Sequence, residues 1–364
     1  MVPNTAAGLT GNIAVKIKVA EGKRKTASIL AQAPCRADLA GSTMDLWPLY
    51  LFHPGAVTVN FAVSILATCR ITPLPGKEIH LRSLDGRREE RFAGLEELCR
   101  AKKYRHPLAA RLVGFFRPEG GVAVETNSES PAGAGIAGSS ALMIATTAAL
   151  ARFTGRRLSR EEMRVLAQNV EAQLINVPTG CQDYYPALYG GVSAIELEPD
   201  GIHRCAIPVP AEEMEARFVL AYTGAPRQSG INNWEVFKSH IDGESKVFRN
   251  FARITEIACA MRAALTRPDW KEVGRLLAEE WKLRRTNAPG ISTPLIENLI
   301  AAARRHGGIA AKVCGAGGGG CVVFYVEKGA KERVAEALRA CGGTLLPFRV
   351  ARDGLSVTSM RSGE

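Results

Sequence analysis

PAGAGIAGSSALMIATTAAL, residues 131–150, sets three glycines and two serines directly ahead of a long run of alanine and leucine. GVAVETN (121–127) just before it reads as a strand, so the stretch as a whole reads strand, loop, helix. Unpaired N–H groups at a helix start, with the helix dipole behind them, attract phosphate oxygens, and glycines let a backbone approach without a Cβ in the way. Ser139 and Ser140 suit a phosphate oxygen or a Mg2+ ion. The lysine of a Walker A loop, GxxxxGK[ST], is missing. A plainer alternative is a tight connection turned by Gly133, Gly135 and Gly138, with Ser139 or Ser140 as an ordinary helix cap.

Working outward, ASILAQAP (27–34), HPGAVTVNFAVSILATCRI (53–71) and EIHLRSLD (78–85) read as strands, the second as one or two. LEELCRAKK and LAARLVGFF read as helices. SREEMRVLAQNVEAQLI (159–175) does too, with Ser159 as N-cap and Glu162 at its third helical position. A long helical region is expected from about 245 to 284. AAKVCGAGGGGCVVFYV then reads as a strand, a glycine turn and a strand, followed by helix KERVAEALRA. The polar, proline-bearing stretch from about 198 to 215 is the expected boundary between two α+β halves, 26–205 and 206–364, after a loose extension over 1–25.

A chain of 364 residues is long enough for about two domains. It contains no apolar run near the roughly 18 residues of a membrane span, and the basic cluster of its N-terminus follows the apolar patch, the reverse of a secretory signal. Nine scattered cysteines without a CxxC pair suggest neither a zinc site nor a disulfide framework, and a reducing cytoplasm is expected. The six histidines show no metal-ligand spacing. The net charge of +11 is spread in short basic groups with only 6% aromatics, which argues against a nucleic-acid surface and suits an anionic small substrate.

The glycine-rich stretch resembles the nucleotide loop of the GHMP kinases, the galactokinase, homoserine kinase, mevalonate kinase and phosphomevalonate kinase superfamily. APCRADLAGSTMDLWP (33–48) is similar to the substrate motif of its sugar-phosphorylating members, and KVCGAGGGGCVVFYV (312–326) to its C-terminal glycine motif. The resemblance implies a ribosomal protein S5-like N-terminal domain, a ferredoxin-like C-terminal domain, ATP and Mg2+ as cofactors, and a sugar or sugar phosphate as acceptor. It places the nucleotide on Pro131, Gly133, Gly135, Ile136, Gly138, Ser139 and Ser140. Where galactokinase carries G-E-H-T-D-Y, this chain reads Gly41-Ser42-Thr43-Met44-Asp45-Leu46, closer to the heptose 7-phosphate kinase and bacterial fucokinase-like branch.

Phosphoryl transfer needs a metal to neutralise phosphates, a positioned acceptor hydroxyl and a group to take or orient its proton. Glu171, with Ser139 or Ser140, suits the metal, and Asp183, twelve residues on, suits the proton. The alternatives are a solvated helix carboxylate for Glu171 and a self-bonding turn residue for Asp183. Arg36 beside Asp183 would keep that carboxylate ionised and neutralise charge on the transferring group; otherwise it is a surface or domain-bridging salt bridge. Asp45 suits a pair of sugar hydroxyls. Gly41, Tyr184, Gly317 and Gly318 are expected at the substrate, as is Arg227, for which a loop salt bridge is the alternative. Cys314 and Cys321 read as small strand residues rather than nucleophiles. Competing readings are a non-sugar acceptor, such as mevalonate or homoserine, and a binding protein that has lost catalysis; a monomer or homodimer is expected.

Overall fold

The computed structural model describes residues 27–226 and 229–360, so the N-terminal extension and Arg227 lie outside the described residues. The first sheet contains strands β1 (Ser28–Ala40), β2 (Val57–Leu74), β3 (Ile79–Ser83), β4 (Arg88–Phe92), β5 (Gly121–Ser128), β6 (Val192–Glu198) and β7 (Gly201–Ile207). Its helices are α1 (Leu95–Arg100), α2 (Pro107–Phe116), α3 (Gly138–Phe153), α4 (Arg160–Ile175) and α5 (Tyr184–Tyr189). The chain then runs through α6 (Ala211–Arg217), β8 (Phe218–Tyr222), α7 (Ser229–Ile241), α8 (Ser245–Thr266), α9 (Trp270–Arg284) and α10 (Pro294–Arg305). It ends with β9 (Gly308–Val313), β10 (Cys321–Val326), α11 (Lys331–Ala340), β11 (Thr344–Leu345) and β12 (Ser356–Met360).

The strands form an eight-stranded sheet, ordered β12-β1-β2-β5-β3-β4 with β6 and β7 branching from β2, and a four-stranded sheet ordered β11-β8-β10-β9. Among the described residues, only β3 and β5 run parallel. The 53–71 stretch gives a single strand, β2, whose start pairs with β6 and whose end pairs with β5. Helix α3 has little amphipathicity because it is buried on nearly every side, against β1, β2 and α4. Ser159 caps α4 in a full capping box with Glu162.

The structure refines three expectations. The helical region from 245 to 284 is two helices: Pro268 has no N–H to continue α8, and Asp269 accepts from the Glu272 N–H to start α9. The stretch from 198 to 215, the expected boundary, holds β7, which extends the first sheet, and most of α6, and the chain passes to the second sheet at β8. The C-terminal half does not stay with its own sheet, since β12 pairs with β1 from Ser28↔Met360 to Gln32↔Ser356.

The inner half of β1, from Ala33 to Ala40, is buried on both faces, so the charged Arg36 and Asp38 within it require buried partners. Asp38 finds Lys312 of β9 at 3.1 Å, and Lys312 also reaches Glu280 of α9 at 2.7 Å; all three side chains are fully buried. Lys312 donates as well to Ser42, and Glu280 accepts from the Gly41 N–H at 3.1 Å. This cluster joins β1, the following loop, α9 and the second sheet. Gly41 is therefore structural rather than a substrate contact: its φ is +80°, and a Cβ there would stand 2.1 Å from the Val57 carbonyl. Lys312→Met is expected to lower unfolding free energy by about 3–5 kcal/mol, because it strands two buried carboxylates. Denaturant titration measures this, and a loss below about 1 kcal/mol, the range of an exposed pair, would show that the cluster does not hold the sheets together.

Candidate active site

Between the sheets lies a cleft of about 410 Å³, walled by the loop from β5 to α3, the loop after β1, α4, and the residues ahead of α5. The β5–α3 loop turns through Gly133 and Gly135, with φ of +67° and +77°, and Ala137 takes the N-cap position at φ +64°. No side chain among the described residues caps α3. Ser139 and Ser140 sit inside its first turn, so neither is the ordinary cap that the sequence left open. Pro131, Gly133, Gly135, Gly138, Ser139 and Ser140 all line the cleft. Ile136 does not: its side chain is fully buried, and its carbonyl accepts from the Arg36 N–H at 2.9 Å. An uncapped start to a long helix, facing a cleft, is an arrangement that receives anions.

The glycine turn of the second sheet braces this loop from behind. The Cys321 N–H donates to the Ala134 carbonyl at 2.6 Å, and a Cβ on Gly320 would come within 2.7 Å of that oxygen. Gly317 and Gly318, expected at the substrate, face the Ile291 turn instead; the Gly318 N–H donates to the Ile291 carbonyl at 2.9 Å. Gly315 is the residue of the turn that reaches the cleft. Burial raises the pKa of the Cys314 thiol, which fits a packed strand residue and not a nucleophile.

Arg36 sits between two register shifts in β1, where the irregular backbone re-aims its side chain. Nε and Nη2 approach Asp183 Oδ1 at 2.9 and 2.7 Å, and Nη1 donates to the Gly135 carbonyl at 2.7 Å. Burial opposes its charge, but Asp183 and Asp38 outweigh it and hold the guanidinium above its ordinary pKa. Asp183 stands ahead of α5 without capping it and lines the cleft, with Oδ2 unbonded among the described residues. It is thus not the self-bonding turn residue that the sequence also allowed.

Glu171 is buried on α4 rather than solvated, and its Oε2 accepts from Ser140 at 3.0 Å and from Tyr184. Burial raises its pKa, while Tyr184 and the two serines pull it back. Tyr184, expected at the substrate, is fully buried behind Glu171 and is no part of the cleft wall. Glu171 with the hydroxyls of Ser139 and Ser140 makes an all-oxygen set, and such donors fit a hard divalent cation that completes its shell with phosphate and water.

Asp45 is brought to the same cleft by the loop after β1. Its Oδ2 accepts from the Gln182 N–H at 2.9 Å and its Oδ1 from Gln182 Nε2 at 3.3 Å. Gly180 lies directly against it, where a Cβ would fall 1.9 Å from Oδ2. Burial, with the charge of Asp183 added, pushes the Asp45 carboxyl up to about 6, while the Gln182 N–H and Arg36 pull the other way. Sequence reasoning missed Gln182, Gly180, Thr43 and Arg284. Gln182 sits inside GCQDYY and was legible; Arg284 is one arginine among several basic residues of an amphipathic helix and carries no signal.

Two family models match the chain: one described as GHMP kinases N terminal domain over residues 101–191, and one described as GHMP kinases C terminal over residues 261–344. A D-glycero-alpha-D-manno-heptose 7-phosphate kinase of Campylobacter jejuni is 26% identical over 338 residues, 90% of this chain and 98% of that one. A mevalonate kinase of Pyrococcus horikoshii is 29% identical over 248 residues, 65% of this chain and 69% of its own. Among solved structures, Lactococcus lactis galactokinase complexed with galactose shares the fold at a TM-score of 0.76 and 16% identity, covering 90% of this chain and 95% of that one.

The Asp45 carboxyl is expected to titrate at about 6, readable by carbon NMR of aspartate-labelled protein. Asp183→Asn removes a raising charge and leaves Arg36 in place, so the midpoint should fall. Because the unfolded chain releases this proton at lower pH than the folded one, the stability that Asp45 contributes is lost as pH rises through about 6. An ordinary aspartate midpoint in the unmutated protein would show that the carboxyl is not held dry.

Proposed function

We propose that this chain, which belongs to the GHMP kinases, transfers the γ-phosphoryl group of Mg·ATP to a hydroxyl of a sugar or sugar phosphate. The observation that carries this reading is the Arg36–Asp183 pair, which leaves one carboxylate oxygen unbonded among the described residues, in a cleft that also holds the start of α3. The nucleotide phosphates are received by Gly133, Gly135 and the first turn of α3. Glu171, Ser139 and Ser140 would hold Mg2+, which supplies neutralisation of phosphate charge when bound. Asp183 takes the proton of the acceptor hydroxyl as its oxygen bonds to the γ-phosphorus. The bond from that phosphorus to the bridging oxygen breaks, and ADP leaves. Arg36 holds the Asp183 carboxylate in place through this step and offsets charge gathering on the transferring group.

A sugar-type acceptor is favoured over mevalonate because the heptose-phosphate kinase match spans 90% of the chain against 65% for the mevalonate kinase. Asp45 and Gln182 also give the acceptor side of the cleft a hydrogen-bonding wall suited to a polyol.

Release of ADP from Mg·ATP, measured across free hexoses, deoxyhexoses, uronic acids, heptoses and their phosphates, tests the reading; mevalonate and homoserine serve as controls. Turnover is expected on a sugar or sugar phosphate, and turnover confined to mevalonate or homoserine would move the acceptor out of the sugars. Asp183→Asn should lower kcat by roughly 10²–10⁴ while the Kd for ATP stays within about threefold. Near-normal turnover in that variant would remove Asp183 as the proton acceptor.

A further inference from the structure

One cation in the cleft wall is left unexplained by phosphoryl transfer. Arg284, the last residue of α9, is 3% exposed and lines the cleft beside Thr43, Asn233 and Gly315. Its Nη2 donates to Thr43 Oγ1 at 3.1 Å and to the Gly315 carbonyl at 2.5 Å. Its Nε and Nη1 are buried without a hydrogen-bond partner among the described residues. The neighbouring carboxylates do not answer this need. Glu280 is engaged by Lys312 and the Gly41 N–H, Asp38 by Lys312 and Ser42, and no ion pair joins either to Arg284 among the described residues. Donors of a buried guanidinium left unmade are among the costlier features a fold can retain, and at a cleft wall a ligand is what satisfies them.

The placement says which ligand. Thr43, which Arg284 grips, lies two residues from Asp45 and so belongs to the acceptor side of the cleft. Thr43 is held at φ +73°, an uncommon conformation for a β-branched residue, and such strain collects where a site must be shaped. A neutral polyol has no need of a desolvated cation beside its hydroxyl-binding carboxylate; an anionic one does. The net charge of +11 favours approach of the same class of molecule.

We infer that Arg284 is the receptor for an anionic oxygen group on the acceptor, a phosphate ester or a carboxylate, so that the substrate is already charged before it is phosphorylated. This rests on the kinase reading above and sharpens its acceptor class. The test compares kcat/KM for heptose 7-phosphate with free heptose, and for hexose 6-phosphate with free hexose, with glucuronate as the carboxylate arm. In the unmutated enzyme, the anionic member should be preferred by at least about 30-fold, with the class of preferred anion naming the source. Arg284→Met should lower kcat/KM for the anionic acceptor by roughly 100-fold, mainly through KM, while KM for ATP stays within about threefold. If that variant does not fold, Arg284→Lys keeps the charge but gives up part of the donor array, and should raise the same KM selectively by about tenfold.

Equal use of free and charged sugars, or equal losses on both in either variant, would overturn the assignment and make Arg284 a buried counter-charge to Asp38, with the kinase reading intact. Absence of turnover on every sugar and sugar phosphate, with ATP still bound, would overturn the sugar-kinase reading and the assignment with it.

Discussion

Arg36 is the point at which the rest of the cleft is fixed. From one buried position in β1, its backbone N–H binds the Ile136 carbonyl, its Nη1 binds the Gly135 carbonyl, and its remaining nitrogens hold Asp183. A charged group inside a strand buried on both faces must be satisfied completely, and these partners come from two segments about 100 and 147 residues away in the sequence. The demand of one guanidinium therefore places the anion-receiving loop and the proton-accepting carboxylate relative to each other.

The second sheet acts on the same parts through backbone and through charge. Its glycine turn comes close enough to Ala134 that no side chain fits between them, which lets a hydrogen bond run directly from one sheet's turn to the other's loop. Below this contact, Lys312 neutralises Asp38 and Glu280 in the interior. Buried ion clusters of this sort contribute more to defining a single arrangement than to net stability when their desolvation is counted. Here the arrangement that they define is that of β1 and the loop after it against α9 and the second sheet.

Local rules made much of this legible in the sequence. A glycine loop before an alanine-rich helix, a Ser159–Glu162 capping box and a five-glycine turn between apolar strands each carry their own physics, and each formed as read. The site residues that sequence placed at the cleft wall and that lie there, among them Arg36, Asp45, Glu171 and Asp183, belong to motifs with chemical meaning. The misplacements share a cause. Tyr184, Gly317, Gly318 and Gly41 are neighbours of site residues in the chain, but one step along a helix or turn points them to the opposite side, and only tertiary packing decides which side faces the cleft. The pairing of β12 with β1 was invisible for a related reason: a five-residue exposed edge strand has little hydrophobic pattern, and its partner lies at the other end of the chain.

That terminal strand changes how the two halves are able to move. The chain crosses from the first sheet to the second between Ile207 and Phe218, and it crosses back before β12, running beside β2 where Ser64 and Ala62 bond to Arg349 and Ala351. Two crossings make a hinge with two pins. Independent swinging or twisting of one half about a single linker is excluded; what remains is bending about the line that joins the pins.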